Sequence, residues 1–333
     1  MPGHATAWTR GNLAVPSAHH TMPRLRNTLF CLFIAMTSAT AIPSHAAGPG
    51  ATAAAPTRFV ELDGERIAYR LVGNAPGAGA VPLLLLNRFR GTMDHWDPLL
   101  VDRIAARRPV LMFDQPGFAR SGGKAPDSLP AFAARAAKLV QALQYPQVDV
   151  LGFSMGGTVA LQFALDHPQL LRRLVVAGSG PGFVPAMPPD VKPTGAEVWQ
   201  VATKPVNDDN DFLFLFFEDT ASSKAAGRAY LERLRQRKDA FAQQVGPEAW
   251  QAQLKSAQAV GTEATTLLPR LAQVRQPALV ANGRHDIMVP TYASYAMAQV
   301  LPNATLVVYP DSGHGFLFQH AESFAADVLK FLQ

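Results

Sequence analysis

VDVLGFSMGGTVA, residues Val148 to Ala160, runs an apolar strand pattern into a helical one with almost no polar linker and sets a serine at the corner. Strands and helices are usually joined by about two to six residues. A chain that turns this sharply needs backbone without bulk, and Gly152 and Gly156 stand two residues before and two after Ser154. Such a turn throws the hydroxyl out of the sheet. It also aims the Met155 N–H, at the start of the helix, at the same spot, where the positive end of the helix dipole favours developing negative charge. The plainer reading is a packing turn whose serine caps the helix.

On both sides of this corner the chain alternates. Residues 81–86, 109–114, 147–152, 174–177 and 277–281 are short, nearly continuous apolar runs, the pattern of parallel strands buried on both faces, and 304–309 belongs with them. Helical spacing covers 129–143, 155–167 and 292–300, and 322–332 reads as a closing helix. Before them, 58–62 and 66–73 flank Asp63-Gly64 as a hairpin. The pattern predicts an α/β fold with a mostly parallel central sheet and helices on both faces. Residues 183–270 hold no buried strand run. They open with Pro185, Pro188, Pro189 and Pro193, carry an aromatic cluster at 212–217, and read as a helical insertion. The expected core is therefore 58–182 together with 271–333.

The 333 residues are 48% hydrophobic and only 17% charged, against about 25% charged in ordinary soluble domains. Part of the deficit lies at the N-terminus, where no charged residue occurs between Arg26 and Arg58. Basic residues at Arg24 and Arg26, a short apolar run at 28–36 and small residues ending at Ala46 have the layout of a secretory signal peptide. Met22 reads as the true start, with 1–21 an upstream extension. The expected cut after Ala46 leaves a flexible lead-in at 47–57 and a periplasmic or secreted protein without stable membrane insertion. The single cysteine, Cys31, lies before that cut. So do Arg10, Arg24 and Arg26, which leaves 27 basic residues against 25 acidic ones, a balance of +2. Such a balance gives no argument for nucleic acid.

Gly-x-Ser-x-Gly between a buried strand and a helix resembles the nucleophile elbow of the alpha/beta hydrolase family. Serine is a weak nucleophile alone; it needs a base, and the base an orienting carboxylate. In the family these follow in the order Ser, acid, His. Asp286, in the turn Asn282-Gly-Arg-His-Asp-Ile-Met-Val-Pro290, stands where the resemblance puts the acid. His314, between Gly313 and Gly315 beyond the next strand, stands where it puts the base. Asp311 is a competing acid and His285 a competing base.

The resemblance also implies an oxyanion hole formed by the backbone N–H groups of Met155 and Phe89. Here the chain departs from the family: its usual His-Gly pair is replaced by Asn87-Arg88. Arg88 and Arg90 read either as a cationic wall for an acidic substrate or as partners of Asp94, Asp97 or Asp114. His95 and Trp96 read as loop packing. Asp114-Gln-Pro-Gly-Phe-Ala-Arg-Ser121 resembles a family turn of structural role, with Ala119 in place of a glycine. No metal or cofactor motif is present in the sequence.

These residues imply a serine hydrolase acting on a small carboxylic ester, thioester or lactone through an acyl-enzyme on Ser154. Carbon–carbon bond hydrolysis, cofactor-free haloperoxidase or perhydrolase activity and aminopeptidase activity use the same triad. A non-catalytic binding protein of the same fold is the alternative from another class. A histidine base must be neutral to act, so activity should fall as pH drops below about 6 to 7.

Overall fold

The computed structural model describes residues 50–73 and 81–333. The expected signal peptide, its cut and Cys31 lie outside them. Eight strands form one sheet: β1 (Arg58–Leu62), β2 (Glu65–Val72), β3 (Leu83–Leu86), β4 (Val110–Phe113), β5 (Val148–Phe153), β6 (Leu171–Ala177), β7 (Ala278–Gly283) and β8 (Ala304–Tyr309). Their spatial order is β1-β2-β4-β3-β5-β6-β7-β8. Only the β1–β2 and β2–β4 pairs are antiparallel. The parallel strands β3, β4, β5 and β7 are buried throughout, which is why they read as unbroken apolar runs. The edge strand β8 is half exposed and alternates less cleanly.

The helices are α1 (Ala51–Ala54), α2 (Pro98–Ala105), α3 (Leu129–Ala142), α4 (Met155–Asp166), α5 (Ala196–Ala202), α6 (Asp209–Phe216), α7 (Ala221–Leu234), α8 (Pro247–Gln258), α9 (Thr291–Val300), α10 (Phe316–Gln319) and α11 (Ala321–Phe331). The two faces of the sheet carry separate cores. One packs against α2 and α11, with Leu100, Ile104, Phe324 and Val328 in it. The other packs against α3, α4 and α9, with Phe132, Leu139, Phe163 and Met297. Between β6 and β7 the chain forms only helical elements and loops, α5 to α8 among them.

One expectation needs correction. Residues 50–55 are not a loose lead-in. They carry α1, whose Gly50 and Thr52 N–H groups donate to the Asp102 carboxylate, and Arg237 donates to the Ala53 and Ala55 carbonyls. The apolar spacing of the sequence does not announce the eight-residue helix α2. Its start is marked all the same: Asp97 caps it by accepting the Leu99 N–H, and Pro98 takes the first helical position, where a missing N–H costs nothing.

Candidate active site

The corner after β5 is as tight as its glycines suggest. Ser154 has φ 56° and ψ −126°, a positive φ that a residue with a Cβ rarely adopts. A Cβ on Gly152 would stand 2.1 Å from the Gly156 carbonyl oxygen, and one on Gly156 would stand 2.1 Å from the Leu86 carbonyl oxygen. Strand, turn and helix can approach this closely only without side chains there. The turn is held from outside as well: the Ser154 N–H donates to the Ala177 carbonyl, and the Ser179 hydroxyl donates to the Ser154 carbonyl.

His314 and Asp286 meet. His314 Nδ1 lies 2.7 Å from Asp286 Oδ2, and both side chains are fully buried. A carboxylate only accepts, so Nδ1 carries the proton and the lone pair of the neutral ring falls on Nε2. Asp286 Oδ1 accepts the N–H groups of Met288 and Val289 at 2.8 and 2.9 Å. The imidazole packs between Phe153 and Phe216, with ring centroids 4.9 and 5.4 Å away. Its Nε2 has no hydrogen-bond partner among the described residues, Ser154 included. Ser154 and His314 do line one cavity of about 30 Å³. Catalytic hydrogen bonds are often long in a resting enzyme and tighten with substrate.

The competing groups are engaged elsewhere. Asp311 accepts the Thr220 and Ser222 hydroxyls at the start of α7. His285 pairs with Glu218 at 2.7 Å on the surface.

The loop after β3 is organised by Asn87. Its side chain donates to the Phe113 carbonyl and accepts the Trp96 Nε1–H at 2.7 Å. Thr92 begins the next turn, and Met93 donates its N–H to Asp114 Oδ1 at 2.8 Å. The Ser121 hydroxyl donates to the Asp114 carbonyl, so the 114–121 turn ties this loop to β4. Burial pushes the Asp114 carboxyl up to about 6. The Phe89 N–H donates to nothing among the described residues. Met155 is the first residue of α4, where a helix leaves its amides without internal partners. Both residues line a largely apolar pocket of about 340 Å³ together with Ser154, a size that suits a small-molecule site. Phe183, Met187, Trp199 and Met288 complete its walls.

Neither Arg88 nor Arg90 pairs with the acids weighed for them. Asp94 is taken by Arg70 and Arg120, Asp97 by Arg233, and Asp114 by backbone N–H groups. Arg90 fastens the loop to the α5–α6 segment by donating to the Ala202, Lys204 and Pro205 carbonyls and to Asn207. Arg88 is only 8% exposed. One Nη donates to the Phe89 carbonyl at 2.7 Å, and the group lies 5.0 and 5.3 Å from the Phe216 and Phe212 ring centroids. Burial lowers it to about 10.

The aromatic cluster at 212–217 divides between two roles. Leu213 and Leu215 are buried as core, but Phe216 packs on the histidine and Phe212 on Arg88. The Phe216 carbonyl accepts the Gly315 N–H at 2.6 Å, fixing the loop that carries His314.

The family model for the alpha/beta hydrolase fold matches residues 81–321. The 2-hydroxy-6-oxononadienedioate/2-hydroxy-6-oxononatrienedioate hydrolase 1 of Dechloromonas aromatica (strain RCB) is 30% identical over 297 residues, covering 84% of this chain and 96% of its own. The poly(3-hydroxyalkanoate) depolymerase of Ectopseudomonas oleovorans is 27% identical, covering 83% of this chain and 92% of its own. Among solved structures, an alpha/beta hydrolase fold protein from Chitinophaga pinensis is similar with a TM-score of 0.76 and 34% identity, over 85% of this chain and 98% of that one. In sequence and in architecture, over most of its length, the chain belongs to the alpha/beta hydrolase family.

Proposed function

We propose that the chain is a serine hydrolase that cleaves a small carboxylic ester, thioester or lactone through an acyl-enzyme on Ser154. The observation that carries this is the buried His314–Asp286 pair opening on the same cavity as a strained corner serine. Ser154 Oγ bonds to the carbonyl carbon while its proton passes to His314 Nε2. Asp286 holds the imidazolium through Nδ1–H. The oxyanion faces the Phe89 and Met155 N–H groups, each such donor lowering the barrier by about 3 kcal/mol. The carbon–leaving-group bond then breaks, and the leaving atom takes the proton from His314. Water repeats the sequence on the acyl-enzyme.

A second reading is carbon–carbon bond hydrolysis on the same residues. It is favoured by the names of the relatives that hydrolyse 2-hydroxy-6-oxo dienedioates. Both readings predict labelling of the wild type by a fluorophosphonate and none of Ser154→Ala. A folded wild type that takes no label would favour a binding protein. Rates on 4-nitrophenyl esters of graded acyl length, on lactones and on a 2-hydroxy-6-keto dienoic acid separate the two readings. Export to the periplasm or medium is part of this proposal, and N-terminal sequencing of the mature protein tests it.

A further inference from the structure

We propose that Arg88 is the carboxylate-binding residue of this site, and that the substrate's leaving fragment carries a carboxylate close to the bond that breaks. An apolar acyl ester of a hydroxy acid has that form. The proposal rests on the acyl-transfer reading above.

The first support is a charge with nowhere to go. Arg88 is more than nine-tenths buried, and its Nε and one Nη have no hydrogen-bond partner among the described residues. A guanidinium stays protonated at neutral pH even when burial lowers it to about 10. Leaving a buried cation without an anion is costly. The Phe212 and Phe216 rings offset part of that cost. The acids that could offset the rest are already held by Arg70, Arg120 and Arg233. Arg90 differs in kind, since four acceptors on the α5–α6 segment and the loop beside it occupy its guanidinium.

The second support is placement. Arg88 lines the cavity of about 30 Å³ that also touches Ser154 and His314. A water needs roughly 10–15 Å³ measured this way, so the cavity admits about two or three non-hydrogen atoms, the size of a carboxylate. A further chamber of about 210 Å³ lies beyond Arg88, lined also by Arg90, His95 and Arg235. Its one lining carboxylate, Asp209, is paired with Arg235.

The third support is direction. The general acid must reach the leaving atom, so the leaving fragment lies on the His314 side, which is the Arg88 side. The larger pocket, about 340 Å³, contains Ser154, Phe89 and Met155 but not His314 or Arg88. Its apolar walls suit the acyl chain. The scissile carbonyl thus sits between an apolar acyl chamber and a cationic leaving-group chamber.

The test compares 3-(butanoyloxy)butanoate with its methyl ester, read as released butanoate, with 4-nitrophenyl butanoate as a neutral reference of the same acyl group. Wild-type kcat/KM for the acid should exceed that for the methyl ester by about tenfold or more, the effect of a hydrogen bond to a charged group. In Arg88→Met that ratio should fall toward one, and Arg88→Lys should restore part of it. Free 3-hydroxybutanoate should compete with the reference in the wild type. That inhibition and the wild-type ratio need no variant, so they decide the matter even if Arg88→Met does not fold. A wild type that cleaves the reference with no preference for the acid overturns the role of Arg88 and leaves the hydrolase standing. A wild type that cleaves none of the three esters and takes no fluorophosphonate overturns the acyl-transfer reading itself.

Discussion

His314 Nδ1 stands 2.7 Å from Asp286 Oδ2, with both side chains shut off from solvent. The other oxygen of Asp286 is clamped by two N–H groups of its own loop, so the carboxylate is oriented before it meets the ring. An amide at this position keeps the shape but can turn a donor toward Nδ1, which places the ring proton on Nε2. Asp286→Asn is therefore expected to lower kcat on the order of 10⁴-fold with the fold intact. Asp311→Asn should leave kcat near the wild-type value, because Asp311 serves the start of α7. Turnover of 4-nitrophenyl butanoate by the two variants checks this. A larger loss in Asp311→Asn would reassign the acid.

The corner serine should be a stability cost. Its φ of 56° with ψ −126° is a conformation that strains any residue with a Cβ, by about 1–3 kcal/mol. Glycine relieves the strain but brings extra chain entropy to the unfolded state, about 0.5–1 kcal/mol. Ser154→Gly is expected to be inactive and more stable by about 1 kcal/mol, measured by denaturant unfolding. A variant less stable than the wild type would show that the turn stores no strain.

The parts of this site that sequence reveals are those fixed by local geometry. Gly152, Ser154 and Gly156 are legible because a Cβ at either glycine collides with backbone only a few residues or one strand away. Asp286 and His314 are legible because strands β7 and β8 announce themselves as apolar runs and the loops after them must leave the same sheet edge. The state of Arg88 was not legible. It depends on which cations reach Asp94 and Asp97 first, and those are Arg70, Arg120 and Arg233, brought in from β2, the turn after β4 and α7. The role of 212–217 was hidden for a similar reason. Its apolar spacing shows that it is buried but not that Phe216 lies on the His314 imidazole.

Gly156 offers a test of how the two amides proposed to hold the oxyanion, those of Phe89 and Met155, are kept in place. A Cβ there would stand 2.1 Å from the Leu86 oxygen and 2.7 Å from the Asn87 oxygen, both backbone atoms that cannot swing aside. Gly156→Ala should destabilise the fold by about 3 kcal/mol. In whatever folds, the 87–89 loop must shift, so kcat should fall while fluorophosphonate labelling slows. Gly122→Ala, where a Cβ meets nothing nearer than 3.6 Å, is the neutral comparison. Equal melting temperatures for the two variants would show that the elbow is not closed against β3.

His95 reports on the cationic chamber. Burial, then Arg88, then Arg90 hold its imidazole well below the usual histidine range. Its Nδ1 accepts the Thr92 N–H at 3.0 Å, so charging the ring would also break the turn that Thr92 begins. The sign follows from proton counting. Below pH about 6.5 the unfolded chain binds a proton at His95 that the folded chain refuses, so this residue lowers stability as pH falls, by up to about 1.4 kcal/mol per unit. By NMR, the His95 ring should keep its neutral chemical shift at pH values where exposed histidines have titrated. Removing the neighbouring guanidinium in Arg88→Met should move its titration upward, and an anion bound at Arg88 in the wild type should do the same. A His95 ring that titrates like a free histidine in the wild type would mean that the chamber is neither dry nor positive.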